Sequence, residues 1–312
     1  MEIFLDVSEA KAIGDTIACT PTLRKLYQSY GKKVYVVSHH LEIFENNPYV
    51  QKCYLPNSMN IDFVKEKTIY HNSFCGLGKK NERGVEYKHN NMDIRQFHAV
   101  SLGFMLSPYE MDYDFVPRPY VPIDELPEKY VLIHPVQNWP SRTWEAKKWM
   151  ELTKRLNEDG ISVISVGKDS SETGFFNVNK PTFNFEISQG INMMNKTDLS
   201  QAWHLIDKSM CFITMDSGLL HLAGATDSEI IYLGSSIKYE FRAPYRNGSQ
   251  TYKIHHVAGG CKINCASDMK YGVREWGSIQ GIAPLIGCLE KKETFECHPS
   301  VEQVYHKIKE II

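Results

Sequence analysis

The stretch MCFITMDSGLLHLAGATDSEIIYLG, residues 210–234, decides the fold. MCFITM (210–215) is an apolar run of strand length, DSGLLHLAGA (216–225) reads as a helix, and EIIYLG (229–234) is a second strand. Strand, helix and strand in that order make a parallel unit whose crossover helix covers the sheet. The turn between the first two elements also has chemistry. A helix that starts directly from a strand end leaves backbone N–H groups free, and with the helix dipole behind them they suit a diphosphate. Gly218 lets a ligand approach the backbone, Ser217 adds a hydroxyl, and Asp216 is available to cap the helix or to position a sugar hydroxyl. The plainer alternative is that Asp216 and Ser217 only cap a buried helix. His221 follows on the first or second turn, to face a cleft or to pack as a hydrogen-bonded histidine.

Outward from this unit the same alternation continues. YVLIHP (130–135) and ISVISVG (161–167) read as strands, and residues 144–158 as an amphipathic helix with Gly160 as its C-cap. DLSQAWHLIDKS (198–209) is a helix with an N-cap aspartate, and SVEQVYHKIKEII (300–312) a final amphipathic helix. The front half repeats the pattern: strands at 2–7, 34–38 and 67–71, a helix over 16–30, a short one at 41–46, and helical spacing over 91–106. Between the halves, PRPYVPIDELPEKY (117–130) holds four prolines and reads as a hinge. The expected architecture is α/β: two Rossmann-like domains, 1–127 and 128–312, facing across a cleft at the carboxyl ends of their strands.

Two further stretches lie at that cleft. In IHPVQNWPSRTWEAKKW (133–149) a strand ends at His134-Pro135, and a polar loop carries Trp139, Ser141 and Arg142 before a helix begins at Trp144. Arg142 is suited to clamp phosphate oxygens, or is an ordinary surface arginine. In AIGDTIACTPTLRKL (12–26) an aspartate, Asp15, sits at the start of a helix. It is either a cap or a base at the mouth of the cleft.

Composition sets the outer limits. The chain has 312 residues, 42% hydrophobic and 23% charged, with a net charge of −2, so it carries no footprint for nonspecific nucleic-acid binding. Its first residues lack the basic and apolar regions of a signal peptide, and no apolar run approaches the roughly 18 residues of a membrane span. A cytoplasmic, reducing setting is expected. Four of the eight cysteines, Cys261, Cys265, Cys288 and Cys297, have the spacing C-x3-C-x22-C-x8-C. They read as ligands of a structural Zn²⁺ or iron, with His298 as an alternative ligand, or as four free thiols. Cys19, Cys53, Cys75 and Cys211 read as small core residues.

Taken in order, GD-T-I and TP-LRKL near the start, IHP and WPSRTW in the middle, and DLSQAWHLIDKS with F-TMDSGLLHLA beyond resemble glycosyltransferase family 9, the ADP-heptose:lipopolysaccharide heptosyltransferases. The resemblance runs over nearly the whole chain. It implies a GT-B fold, with the acceptor site in the first domain and the nucleotide-sugar site in the second. It also implies inverting transfer without a catalytic metal or other cofactor. Asp15 matches the family's early aspartate and is implied as the general base. Arg142 falls where many members have a lysine near the donor phosphates. Asp216, Ser217 and Gly218 match the donor-binding turn; His221 lies within the same block, and Thr16, beside Asp15, is expected to hold donor phosphates or acceptor. CKINC, with the later W, C and FECHPSVEQV, resembles the cysteine-rich insertion of autotransporter heptosyltransferases, which bind iron there.

The expected function is therefore transfer of a heptose or similar sugar from a nucleotide-diphosphate donor to a hydroxyl of a glycan or protein. A hydroxylated nucleic-acid base is a second acceptor class, disfavoured by the low positive charge. A noncatalytic nucleotide-sugar-binding protein is a rival reading, against which Asp15 argues. A dinucleotide-dependent oxidoreductase ranks low, because EAKAIGDT after the first strand is no G-x-G-x-x-G. The loop FCGLGKKNERGVEYKH (74–89) is the candidate acceptor-selecting segment. Donor base, acceptor and oligomeric state stay open.

Overall fold

The computed structural model describes residues 2–58, 60, 68–72, 92–123, 126–135, 140–168, 190–265, 288, 292 and 294–312. Among them, ten strands form two wholly parallel sheets. The first holds β1 (Ile3–Asp6), β2 (Val34–Val37), β3 (Val50–Tyr54) and β4 (Ile69–Asn72), in the order β3-β2-β1-β4. The second holds β5 (Tyr130–Ile133), β6 (Ser162–Gly167), β7 (Ile191–Met194), β8 (Cys211–Thr214), β9 (Ile230–Leu233) and β10 (Ile254–Val257). Its order is β10-β9-β8-β5-β6-β7. β1, β5, β8 and β9 are buried along their whole length, as strands inside a parallel sheet covered on both faces are.

Alternation along the strands divides the core. Tyr130, Leu132, Phe212, Ile230 and Tyr232 turn to one face of the second sheet and join an apolar cluster that continues into the first half through Tyr113 and Phe115. Val131, Ile133, Cys211, Ile213, Ile231 and Leu233 turn to the other face. There they meet Trp149, Leu152 and Leu156 of one helix (Ala146–Glu158) and Val304 and Ile308 of the last (Val301–Ile311).

The helix expected over 16–30 is two helices, α1 (Ile13–Ala18) and α2 (Thr20–Tyr30). Pro21 is the reason. It has no N–H for a helical bond to Ile17, and the Thr20 hydroxyl donates to the Ile17 carbonyl instead at 2.8 Å. α3 (Ile94–Ser101) is shorter than its apolar pattern, because the chain turns out of the helix at Gly103. α4 (Ala146–Glu158) starts after Trp144, which is buried, and ends as expected at Gly160. Gly160 has φ +76°, and the Ile161 N–H returns to the Leu156 carbonyl at 2.9 Å. α5 (Leu199–Lys208) has the expected N-cap, Asp198, within a full capping box. α6 (Gly218–Ala223) and α7 (Val301–Ile311) complete the helices, and the expected helix at 41–46 is a single 3-10 turn over Leu41–Ile43. The 74–89 loop, Trp139 and Cys75 lie outside the described residues.

Candidate active site

The sheet orders locate the site. The second sheet reverses its winding between β5 and β8, and the first between β1 and β4. In open α/β sheets, ligands sit beyond the carboxyl ends of the strands at such reversals. The loop after β5 carries Arg142, the turn after β8 carries Asp216, and the loop after β1 leads into α1 with Asp15.

Asp216 is buried and accepts a hydrogen bond from Arg142 Nη1 at 2.8 Å; the Arg242 Nε lies 3.8 Å from the same carboxylate oxygen. One carboxylate thus sits beside two guanidiniums at the strand ends. Sequence reading missed Arg242. Its signal is only an arginine in the loop after buried β9, at the carboxyl edge of the same sheet. Asp216 is not the helix cap. Ser217 is, with its hydroxyl accepting from the Leu220 N–H at 3.3 Å and standing 3.1 Å from the Thr214 hydroxyl. Behind the Arg142 loop, Ser236 donates to the Ser141 hydroxyl at 2.9 Å, and His298 Nε2 donates to the Ser141 carbonyl at 2.9 Å. Trp144 Nε1 donates to the Pro299 carbonyl, also at 2.9 Å. His298 thus donates one ring N–H to the loop and stacks on Phe295.

On the other wall, the N-cap of α1 is Ala12, which offers no side-chain cap, and Asp15 lies in the first turn, half-buried. A carboxylate there is favoured in its ionised form by the helix dipole. Thr16 is fully buried, and its hydroxyl faces the Ala10 carbonyl at 2.9 Å and the Ala12 carbonyl at 3.1 Å. It organises the β1–α1 loop and is turned away from any ligand, contrary to the expectation for it.

α1 and α6 pack on each other at their N-termini. A methyl built on Gly14 would lie 3.2 Å from the Gly218 Cα and 2.8 Å from His221 Cδ2. His221 is buried, and its Nδ1 meets the Tyr113 hydroxyl at 2.7 Å. That hydroxyl also accepts from Arg95 Nη1 at 3.2 Å, and Arg95 Nε donates to Asp93 at 2.9 Å. Burial pushes the His221 imidazole down to about 4; the Asp216 and Asp15 carboxylates oppose this, and Arg95 and Arg242 add to it. Burial likewise pushes His134, at the end of β5, down to about 4, and its Nδ1–H donates to the Val166 carbonyl at 2.7 Å.

The four C-terminal cysteines share one neighbourhood. Burial, with Cys265, Cys261 and Cys288 nearby, pushes the Cys297 thiol up to about 12. Residues 259–261 run against 296–297 through the Gly259 N–H to the Cys297 carbonyl and the Cys261 N–H to the Glu296 carbonyl. Among the described residues, no group of three or more His, Cys, Asp or Glu is arranged to hold a metal ion. Among the described residues, no helix is long and apolar enough to cross a membrane.

Comparison with known proteins gives the family. The model of glycosyltransferase family 9 (heptosyltransferase) matches residues 96–265. Lipopolysaccharide heptosyltransferase 2 of Salmonella typhimurium strain LT2 is 24% identical over 115 residues, 37% of this chain and 33% of that protein. The match therefore spans about a third of the length of this curated relative. Among solved structures, a glycosyl transferase family 9 protein from Veillonella parvula superposes with a TM-score of 0.63 at 13% identity, covering 99% of this chain and 96% of its own. The dodecameric iron-containing heptosyltransferase TibC, in complex with ADP-D-beta-D-heptose, superposes with a TM-score of 0.70 at 15% identity, covering 100% of this chain and 77% of its own. The fold is that of the GT-B heptosyltransferases, and the chain belongs to glycosyltransferase family 9.

Proposed function

We propose that the chain is an inverting transferase that moves a heptose, or a closely similar sugar, from a nucleotide-diphosphate donor to a hydroxyl of a glycan or protein. One observation carries this reading. The backbones of α1 and α6 meet at Gly14 and Gly218, so Asp15, the next residue after Gly14, belongs to the same junction as the turn that begins at Asp216.

In this mechanism the acceptor hydroxyl attacks the anomeric carbon from the face opposite the diphosphate. Asp15 takes the hydroxyl proton as the new C–O bond forms. Such a base is worth roughly 10²–10⁴-fold. The bond from the anomeric carbon to the phosphate oxygen breaks, and its electron pair leaves with the diphosphate. Arg142, aimed by its bond to Asp216, stabilises that charge, with Arg242 behind it. Gly218 and the Ser217 turn admit the diphosphate to the backbone, and His221 lines the junction. The charge needed is supplied by side chains, and in this reading catalysis calls on no metal. An ADP-linked donor is favoured by the ligand bound to TibC.

Cys261, Cys265, Cys288 and Cys297 are the residues that would hold a structural iron or zinc ion, by thiolate coordination that ties 261–265 to 288–297. The iron in TibC supports this reading; among the described residues the four thiols lie near one another without the arrangement of a metal site.

The test is a donor panel. ADP-heptose should raise the melting temperature more than UDP- or GDP-sugars and should be slowly hydrolysed or transferred. Stabilisation by none of the panel, or by ADP-heptose without any turnover, would overturn the reading.

A further inference from the structure

The buried chain Asp93–Arg95–Tyr113–His221 runs from the N-cap of α3 to the α1–α6 junction, and its hydrogen atoms can be assigned. The Asp93 carboxylate accepts from the Arg95 and Gln96 N–H groups and from the Arg95 guanidinium. Arg95 is fully buried, with its guanidinium over the Tyr245 ring at 4.7 Å, and donates Nη1–H to the Tyr113 oxygen. An arginine has only donors, so it cannot receive the Tyr113 proton. Among the described residues, the other hydrogen-bond partner of that hydroxyl is His221 Nδ1, at 2.7 Å. The phenol proton therefore lies on the line to Nδ1, and Nδ1 is a bare acceptor. A neutral imidazole with a bare Nδ1 carries its proton on Nε2. The ring edge that holds Nε2 and Cδ2 is the edge that faces Gly14, one residue before Asp15.

We propose that Tyr113 is a positioning residue, which locks His221 as the Nε2–H tautomer so that the imidazole presents a donor, not a lone pair, at the start of α1 beside Asp15. A donor there holds the Asp15 carboxylate in one orientation and stabilises its charge until the acceptor proton arrives. The lone-pair tautomer in the same place would face the carboxylate with like polarity. The kinetic part of this proposal rests on Asp15 being the base; the tautomer itself does not.

The test therefore has two arms. In the first, ¹⁵N-histidine spectra of the whole chain are recorded, with His221 assigned through His221→Gln. The expected result is a pyridine-type Nδ1 and a pyrrole-type Nε2, replaced by a tautomer mixture in Tyr113→Phe. A pyrrole-type Nδ1 in the wild type overturns the proposal whether or not the protein transfers sugar. In the second arm, Tyr113→Phe should lower kcat about tenfold, the worth of one hydrogen bond to a charged group, with donor affinity within about twofold. His221→Gln, whose amide reaches the Nε2 position, should keep more of the rate than His221→Asn, whose amide reaches only Nδ1. Equal losses in the two, or an unchanged kcat in Tyr113→Phe, overturn the positioning role. If Tyr113→Phe fails to fold, the wild-type spectrum and the Gln/Asn pair still decide. Absence of transfer in the wild type with the expected tautomer counts against the proposed function and leaves the tautomer assignment standing.

Discussion

Gly14 and Gly218 close the junction between the two halves with backbone alone: a side chain on Gly14 would begin 3.2 Å from the Gly218 Cα and 2.8 Å from His221 Cδ2. His221 cannot swing aside, because Tyr113 holds its far nitrogen. Gly14→Ala should therefore move α1 off α6, lower stability by about 1–3 kcal/mol and reduce kcat at least tenfold. Gly218 differs. A methyl there meets the Gly14 nitrogen and the Ile13 Cβ at 3.4 Å, close to ordinary contact. Gly218→Ala should keep near-native stability and lower donor affinity by narrowing the α1–α6 seam, since the methyl points at Gly14 and Ile13. Urea unfolding and donor titration of the two variants separate these outcomes.

Asp15→Asn removes the proposed base and keeps the shape. Transfer should fall by roughly 10²–10⁴-fold, with nucleotide affinity within a few-fold of wild type. Calorimetric titration with ADP and a single-turnover assay check this together. Full activity in the variant would take Asp15 out of the mechanism.

The two arginines on Asp216 should respond differently. Arg142 is partly exposed on the ligand side, and Arg242 is buried. Arg142→Gln should raise the donor KM about tenfold or more with little loss of stability. Arg242→Gln removes a buried guanidinium from beside the buried Asp216 carboxylate and should cost about 3 kcal/mol in a denaturant titration.

Seven of the ten strands among the described residues were legible, because strands buried on both faces read as short apolar runs, and YVLI, CFIT and IIYL announce themselves; β3, β7 and β10 were missed, because they lie at sheet edges and carry polar, partly exposed residues. The turn after β8 was legible for a similar reason, since Asp216-Ser217-Gly218 follows a strand with no intervening loop. What could not be read is what the halves do to each other. Nothing near Asp15 in the chain announces that His221 will lie beside it, and nothing near Asp216 announces Arg242. Arg95 and Tyr113 look like ordinary residues of a helix and a connecting segment until packing places them end to end. Thr16 was misread through adjacency. Its neighbour Asp15 is half-exposed, but the next position on a helix turns about 100° away, here into the β1–α1 loop.

Two buried histidines set the acid limit of stability. His134 and His221 both sit at about 4 in the folded chain, below the 6.5 of an unhindered imidazole. Facing His221 are Asp15, Asp216, Arg95, Arg242 and Tyr113; His134 faces the Val166 carbonyl. A folded value below the unfolded one means that the denatured chain takes up protons the native chain refuses. Their contribution is whole above pH 6.5 and is lost as pH falls from 6.5 towards 4, at about 3 kcal/mol each. The urea midpoint should drop steeply between pH 6.5 and 4.5. His134→Asn, which keeps a donor for Val166, should remove about half of that slope.

The cysteine segment should act on the donor side through two hydrogen bonds. His298 and Pro299 follow Cys297 directly, and they hold Ser141 and Trp144 on either side of Arg142. If a metal ties Cys297 to Cys261, Cys265 and Cys288, stripping it frees residues 296–299 and loosens the Arg142 loop with them. Protein purified without added metal should contain close to one iron or zinc per chain. Chelation should lower the melting temperature, change the emission of Trp144, and raise the donor KM more than it lowers kcat, because Asp15 stands on the other wall. His298→Ala should reproduce the KM effect with the metal still bound. A chain with far less than one metal per molecule and an unaltered melting temperature in chelator would mean four free thiols, and the support of the loop would then rest on Pro299 and His298 alone.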